Sequence, residues 1–196
     1  MAEDALTAWR LVRPAYGSRA AAISGEGARR YGGRWNSPGH ALVYASINLS
    51  LAALETLANA DRRRFERDYV VFEVHVPHDL VLELREQDLP LDWRARPVST
   101  GARAIGDAWC EQSASAALTV PSVLVPQERN LLLCTPHPRF VEVHIGEPQL
   151  FRFDDRLGPE AGQDTRARDR ARRPLWAPPR VAPAVDDPKL QLTVLS

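Results

Sequence analysis

The stretch Asp68–Val76 constrains this chain most. Val70, Phe72, Val74 and Val76 share one face, while Glu73 and His75 fall on the other. A period of two is the spacing of a β-strand with one buried side. Such a strand is not stable alone and needs sheet neighbours over a common core. Leu42–Ala45 offers a second strand, after the turn signal Asn36-Ser37-Pro38-Gly39. Thr119–Val125 reads as a buried strand in which Pro121 limits ladder pairing. Phe140–Ile145 alternates again, with Val141, Val143 and Ile145 inward. A helix is predicted over 48–60, capped by Ser46 or Asn48, with Leu51, Leu54 and Ala58 as its buried stripe. A second, over 101–113, is expected to bury Ile105, Ala108 and Trp109. Strands outnumber helices and do not alternate regularly with them. The expected fold class is therefore α+β, with compact mixed or antiparallel sheets and flanking helices.

Composition sets the outer limits. The 196 residues suit one domain with or without a tail. Lys+Arg and Asp+Glu are equal at 25 each, which argues against nucleic-acid or membrane binding driven by bulk charge. Lys189 is the only lysine; arginine forks suit phosphates, and a GC-rich genome gives the same bias. Cys110 and Cys134 make neither a disulfide framework nor a metal set. No run reaches the roughly 18 apolar residues of a membrane span, and the acidic start lacks the pattern of a signal peptide. A cytoplasmic protein is expected. We place the domain at 5–158. The stretch 159–196 differs: it holds Pro159, Pro174, Pro178, Pro179, Pro183 and Pro188 and the basic run Arg166–Arg173. It is expected to be a flexible tail.

Three common motifs fail. Gly25-Glu26-Gly27-Ala28-Arg29-Arg30 has Arg30 where a dinucleotide loop needs its third glycine, and no apolar strand precedes it. No phosphate-binding Gly-Lys-Ser/Thr occurs. Ser122 sits in Val-Pro-Ser-Val, not in a nucleophile elbow. Cys134 with His137, and His75 with His78, are each at most half a metal site, so no metal is expected.

The segment 24–57 is the informative one. Gly32-Gly33-Arg34-Trp35-Asn36 puts an arginine after two glycines, where backbone can approach a ligand and a guanidinium can clamp a phosphate. A surface turn with a core tryptophan is the alternative. Tyr44 offers a ring face and a hydroxyl, or is an ordinary strand tyrosine. Glu55 lies at the edge of a buried helical stripe, where a carboxylate is costly unless it is paired or lines a pocket.

In order along the chain, Trp9-Arg10, the run Gly25–Gly39, Val43-Tyr44-Ala45 and Ala52-Ala53-Leu54-Glu55 resemble the RES-domain family. So do Ile105-Gly106-Asp107-Ala108-Trp109, Val120–Pro126, Asn130-Leu131-Leu132-Leu133, Pro136-His137-Pro138 and Phe153–Leu157, so that the likeness covers residues 7–158. The name-giving arginine, glutamate and serine look like Arg34, Glu55 and Ser122. The resemblance implies a fold similar to ADP-ribosyltransferases and a toxin of a toxin–antitoxin pair. It implies degradation of NAD, by hydrolysis or phosphorolysis, with modification of a protein as the alternative chemistry and a degenerate binding module as the non-enzymatic one. It also implies a helix-turn-helix antitoxin of the Xre type that plugs the pocket. On this reading Glu55, Arg34 and Tyr44 carry catalysis. Arg10, Arg13, Arg34, Trp35, Tyr44, Ser122 and Asn130 hold NAD, which is the substrate and not a resident cofactor. The family has asparagine where this chain has Cys134, a change expected to alter affinity at the pocket rim without loss of activity.

Overall fold

The computed structural model describes residues 5–60 and 66–157. The stretch 159–196, expected to be a tail, lies outside the described residues. Among the described residues eight strands form one sheet: β1 Ala5–Val12, β2 Leu42–Ser46, β3 Asp68–Pro77, β4 Val81–Glu83, β5 Ala117–Pro121, β6 Arg129–Cys134, β7 His144–Ile145 and β8 Gln149–Arg152. The order is β4-β5-β6-β2-β1-β3-β7, with β8 also on β3. Every described pairing is antiparallel except β4 with β5. The helices are α1 Arg19–Ala22, α2 Glu26–Tyr31, α3 Leu49–Asn59 and α4 Thr100–Glu111. The fold is α+β as expected, and it is compatible with an ADP-ribosyltransferase-like arrangement.

The alternation in β3 does what its pattern requires. Val70, Phe72, Val74 and Val76 are buried with Ala8, Val43, Leu131 and Leu133 on one sheet face. Phe72, with no exposed surface, stabilises the fold by about 1.5–3 kcal/mol relative to an exposed ring. The opposite face carries two separate packed regions. α4 covers Leu118, Val120, Leu132 and Cys134 through Ala102, Trp109 and Cys110. α3 packs Ala52 over Leu11, Tyr69, Val71 and Phe153. Between these regions β1 and β2 share a single pair, Trp9↔Ser46, and then part.

Several expectations need correction. The buried face of α3 is Leu51 and Ala52, with half-buried Glu55, Thr56 and Asn59, whereas Leu54 and Ala58 are exposed. The helix is turned by about one residue from the apolar stripe, because its inner face lines a cavity as well as a core. In α4 Ala108 is exposed and Ile105 half-buried; the buried positions are Ala102, Gly106, Trp109 and Cys110. The strand expected at 119–125 runs from Ala117 and stops at Pro121, so Ser122 begins a turn. Phe140–Ile145 is mostly a 3-10 turn over Pro138–Glu142, opened by the proline and by His137 accepting from the Arg139 amide. Val141 is 88% exposed there. Packing of α4 on β6 brings Cys110 and Cys134 to a Cα separation of 5.8 Å, and they pair as a disulfide, contrary to the sequence expectation. Asn48, not Ser46, caps α3, its Oδ1 accepting from the Leu51 amide at 2.7 Å.

Candidate active site

The parting of β1 and β2 creates the site. Where Arg10 and its neighbours would meet β2, the Tyr44 carbonyl is instead capped by the Arg10 guanidinium at 2.5 Å. The same guanidinium donates through Nε to the Ala22 carbonyl at 2.6 Å. Arg10 has no carboxylate partner among the described residues. Burial pushes its pKa down to about 10. A fixed, poorly solvated cation without a counter-charge is a seat for an anion.

Arg10 lines a cleft of about 210 Å³ together with Arg13, Tyr16, Tyr31, Tyr44 and Tyr69. Arg13 hydrogen-bonds Tyr69, whose hydroxyl pKa is raised chiefly by burial. A smaller cavity of about 40 Å³ holds Glu55, Ser46, Asn130 and Trp9. The two share Leu11, Tyr44, Thr56 and Asn59 as walls. Glu55 therefore lines the smaller cavity and Arg10 the larger, with these shared residues between them.

The Glu55 carboxylate is held on one oxygen only. Oε1 accepts from Ser122 Oγ at 2.8 Å and from Asn130 Nδ2 at 2.7 Å. No described group bonds to Oε2. Ser122 is fully buried, and its oxygen also accepts from the Leu124 and Val125 amides at 3.1 and 3.2 Å. Its single proton is thus committed to Glu55. Ser46 Oγ donates to Asn130 Oδ1 at 2.6 Å.

The glycine-rich loop is built around Asn36, which is fully buried. Its amide donates to the Ala28, Ser37 and His40 carbonyls at 2.9, 3.0 and 3.3 Å. Its Oδ1 accepts the Tyr44 hydroxyl at 2.6 Å, and that hydroxyl accepts the Trp35 amide at 3.2 Å. Burial raises the Tyr44 pKa, so the phenol stays protonated and Tyr44 offers the cleft its ring. From outside, α4 pins the loop: Arg103 donates to the Gly33 carbonyl at 3.1 Å and Asp107 accepts the Ser37 amide at 2.8 Å. Arg34 is 4% exposed. Its Nη1 donates to the Trp93 and Ala95 carbonyls at 2.7 and 3.2 Å. Burial and then Arg96 lower its pKa, with Glu55 and Tyr44 acting in the opposite sense. Arg34 therefore lies within the field of Glu55 but is not a wall of the larger cleft. Trp35, 3% exposed, stacks on Trp93 with ring centroids 6.0 Å apart, and its ring belongs to the core.

The structure thus brings Glu55, Ser122, Asn130 and Tyr44 together, puts Arg10 and Arg13 in the adjoining cleft, and seats Arg34 behind them. Neither Asn36 nor Ser46 is named as a site residue from sequence: Asn36 lies within the motif, and Ser46 is read only as a candidate helix cap. Among the described residues no group of three or more His, Cys, Asp or Glu is placed to hold a metal. No helix among them is long and apolar enough to cross a membrane.

His40 closes the loop over α4, 3.1 Å from Asp107 and 3.0 Å from Glu111. Burial opposes its charge, but the Glu111 hydrogen bond and Asp107 outweigh that, so its pKa is raised. The stabilisation is complete below the ordinary histidine pKa and is lost as pH rises through the raised one. Unfolding free energies of wild type and His40→Gln, followed from about pH 5.5 to 8.5, should differ most at the acid end, by no more than about 1 kcal/mol. A gap that widens with pH would reverse the assignment.

Residues 7–154 match the family model described as the RES domain. The chain is 39% identical over 135 residues to "Toxin Res" of Yersinia enterocolitica, covering 68% of this chain and 89% of that protein. It is 32% identical over 152 residues to "Prs ADP-ribosylating toxin" of a Sphingobium species, covering 76% and 94%. To "Toxin Res" of Photorhabdus laumondii it is 38% identical over 125 residues, covering 64% and 79%. The family model spans most of the chain and the relatives agree with it: this chain belongs to the RES-domain family.

Proposed function

We propose that this protein is a toxin that cleaves the nicotinamide–ribose bond of NAD. The observation that carries the reading is the Glu55 carboxylate, fixed on Oε1 by Ser122 and Asn130, with Oε2 lacking a partner among the described residues, in a cavity that shares walls with the cleft of Arg10, a cation with no described carboxylate partner. Breaking this bond builds positive charge on the ribosyl carbon. A preorganised carboxylate oxygen beside it stabilises the transition state more than the ground state. Nicotinamide departs as a neutral ring, so no strong general acid is needed. The Tyr44 ring borders the nicotinamide end, and Arg10 with Arg13 takes the pyrophosphate. Arg34, tied to the 93–95 carbonyls, holds the loop and adds positive field beside Glu55. Water attacks the ribosyl carbon, giving ADP-ribose, nicotinamide and a proton; with inorganic phosphate the product is the ribosyl phosphate.

A second reading has a protein side chain as acceptor. It is favoured by the Sphingobium relative, named as an ADP-ribosylating toxin and matched over 94% of its length. Both readings share the first step. Toxin-named relatives also make an antitoxin partner part of the proposal, an Xre-type protein covering the cleft.

Purified protein, free of any antitoxin, is to be given NAD with and without inorganic phosphate. Free nicotinamide should appear in step with NAD loss, and phosphate dependence names the acceptor. With adenine-labelled NAD and cell extract, label on protein would select the second reading. No nicotinamide release in any arm, from folded protein, would overturn both.

A further inference from the structure

We infer that Ser46 is a positioning residue for this reaction: acting through Asn130, it holds one oxygen of the Glu55 carboxylate in place so that the other is left for substrate. The inference rests on the proposed role of Glu55. An asparagine side chain has two orientations of nearly equal shape, one presenting N–H₂ and the other C=O. If Asn130 turned its oxygen to Glu55, two acceptors would face each other, and a half-buried carboxylate would lose a donor.

Glu55, which can only accept, selects the orientation that presents N–H₂, and Ser46 anchors the amide in it. The serine is 3% exposed and sits directly across the β2–β6 ladder from Asn130. Its hydroxyl donates to Asn130 Oδ1 at 2.6 Å while Nδ2 donates to Glu55 Oε1, 2.7 Å away, so the amide is held at both ends. Ser122 reaches the same Oε1 from the turn after β5, and the Leu124 and Val125 amides fix the direction of its proton. Donors from two separate elements therefore converge on one oxygen. The carboxylate cannot turn about its final bond without losing both, and its other oxygen has no described partner beside the cavity that Glu55 lines. Trp9, paired with Ser46 in the β1–β2 bridge, lines that cavity and completes the wall behind the serine.

Ser46→Ala removes one hydroxyl with little change of shape and leaves Ser122 on Glu55. The expected result is a fall in kcat for nicotinamide release on the order of tenfold, with KM changed less than about twofold because the cleft around Arg10 is untouched. Asn130→Ala should fall at least as far, and Ser46→Ala in that background should add nothing, since the serine acts only through the amide. A second readout needs no turnover: the Asn130 side-chain amide ¹⁵N–¹H pair should be one sharp set of signals in wild type and exchange-broadened or shifted in Ser46→Ala. Unchanged kcat in folded Ser46→Ala, multiplicative losses in the double variant, or an unperturbed Asn130 amide would each overturn the inference. Wild type that releases no nicotinamide sinks the proposed function instead, and the amide signals then still decide whether Ser46 orients Asn130.

Discussion

Glu55→Gln is expected to slow nicotinamide release by about 10²–10³-fold or more, while NAD still binds within a few-fold of wild type. Glutamine is the informative replacement because its carbonyl oxygen can still accept from Ser122 and Asn130, the two donors on Oε1. The buried network then stays satisfied and the fold is not charged with an orphaned donor. Only the negative charge goes, and with it the attraction to a developing ribosyl cation. Binding persists because the pyrophosphate contacts assigned to Arg10 and Arg13 lie elsewhere in the cleft. Turnover at saturating NAD and calorimetric affinity are the two measurements. Turnover within tenfold of wild type, in a variant of unchanged melting temperature, would remove Glu55 from the chemistry. A loss confined to affinity would recast it as a binding group.

The elements that sequence makes legible are those whose packing is regular. β3 alternates because one face meets the core, and β2 is announced by a turn. β1 and β6 were not recognised as strands, for opposite reasons. In β6, Leu131–Cys134 are all buried, since the strand lies between β5 and β2 with both faces covered, so no alternation exists. In β1 the inward series Ala8, Arg10, Val12 is broken by a charge. That charge is the guanidinium that caps Tyr44 where the sheet parts. The pattern fails where the site begins, as expected when function overrides local preference. The same holds for α3, where Glu55, Thr56 and Asn59 occupy the inner face and displace Leu54 outward. Glu55, Tyr44 and Ser122 were nameable from motif order. That Ser122 and Asn130 share one carboxylate oxygen was not, because the contact joins residues 67 and 75 positions apart.

The packing of α4 on the Arg34 loop leads to the second large effect. Gly106→Ala should destabilise the protein by about 2 kcal/mol or more, although alanine is the better helix former by about 1 kcal/mol. The reason is steric: a Cβ at Gly106 would overlap the Trp35 carbonyl oxygen, which is backbone and cannot swing aside. Either α4 lifts or the loop retreats. Both carry a functional cost, because Arg103 and Asp107 on α4 hold Gly33 and Ser37 on either side of Arg34. We therefore expect a melting temperature lower by roughly 4–8 °C and weaker NAD binding in the same variant. Gly27→Ala is the matched control. Gly27 lies in α2 with nothing within 4 Å of its would-be Cβ, so the substitution should stabilise by up to about 1 kcal/mol through the unfolded chain. Opposite shifts for the two alanines are what close contact between α4 and the loop requires. If both raised the melting temperature, the helix would not rest on Trp35, and the rigidity attributed to the loop around Arg34 would have no support.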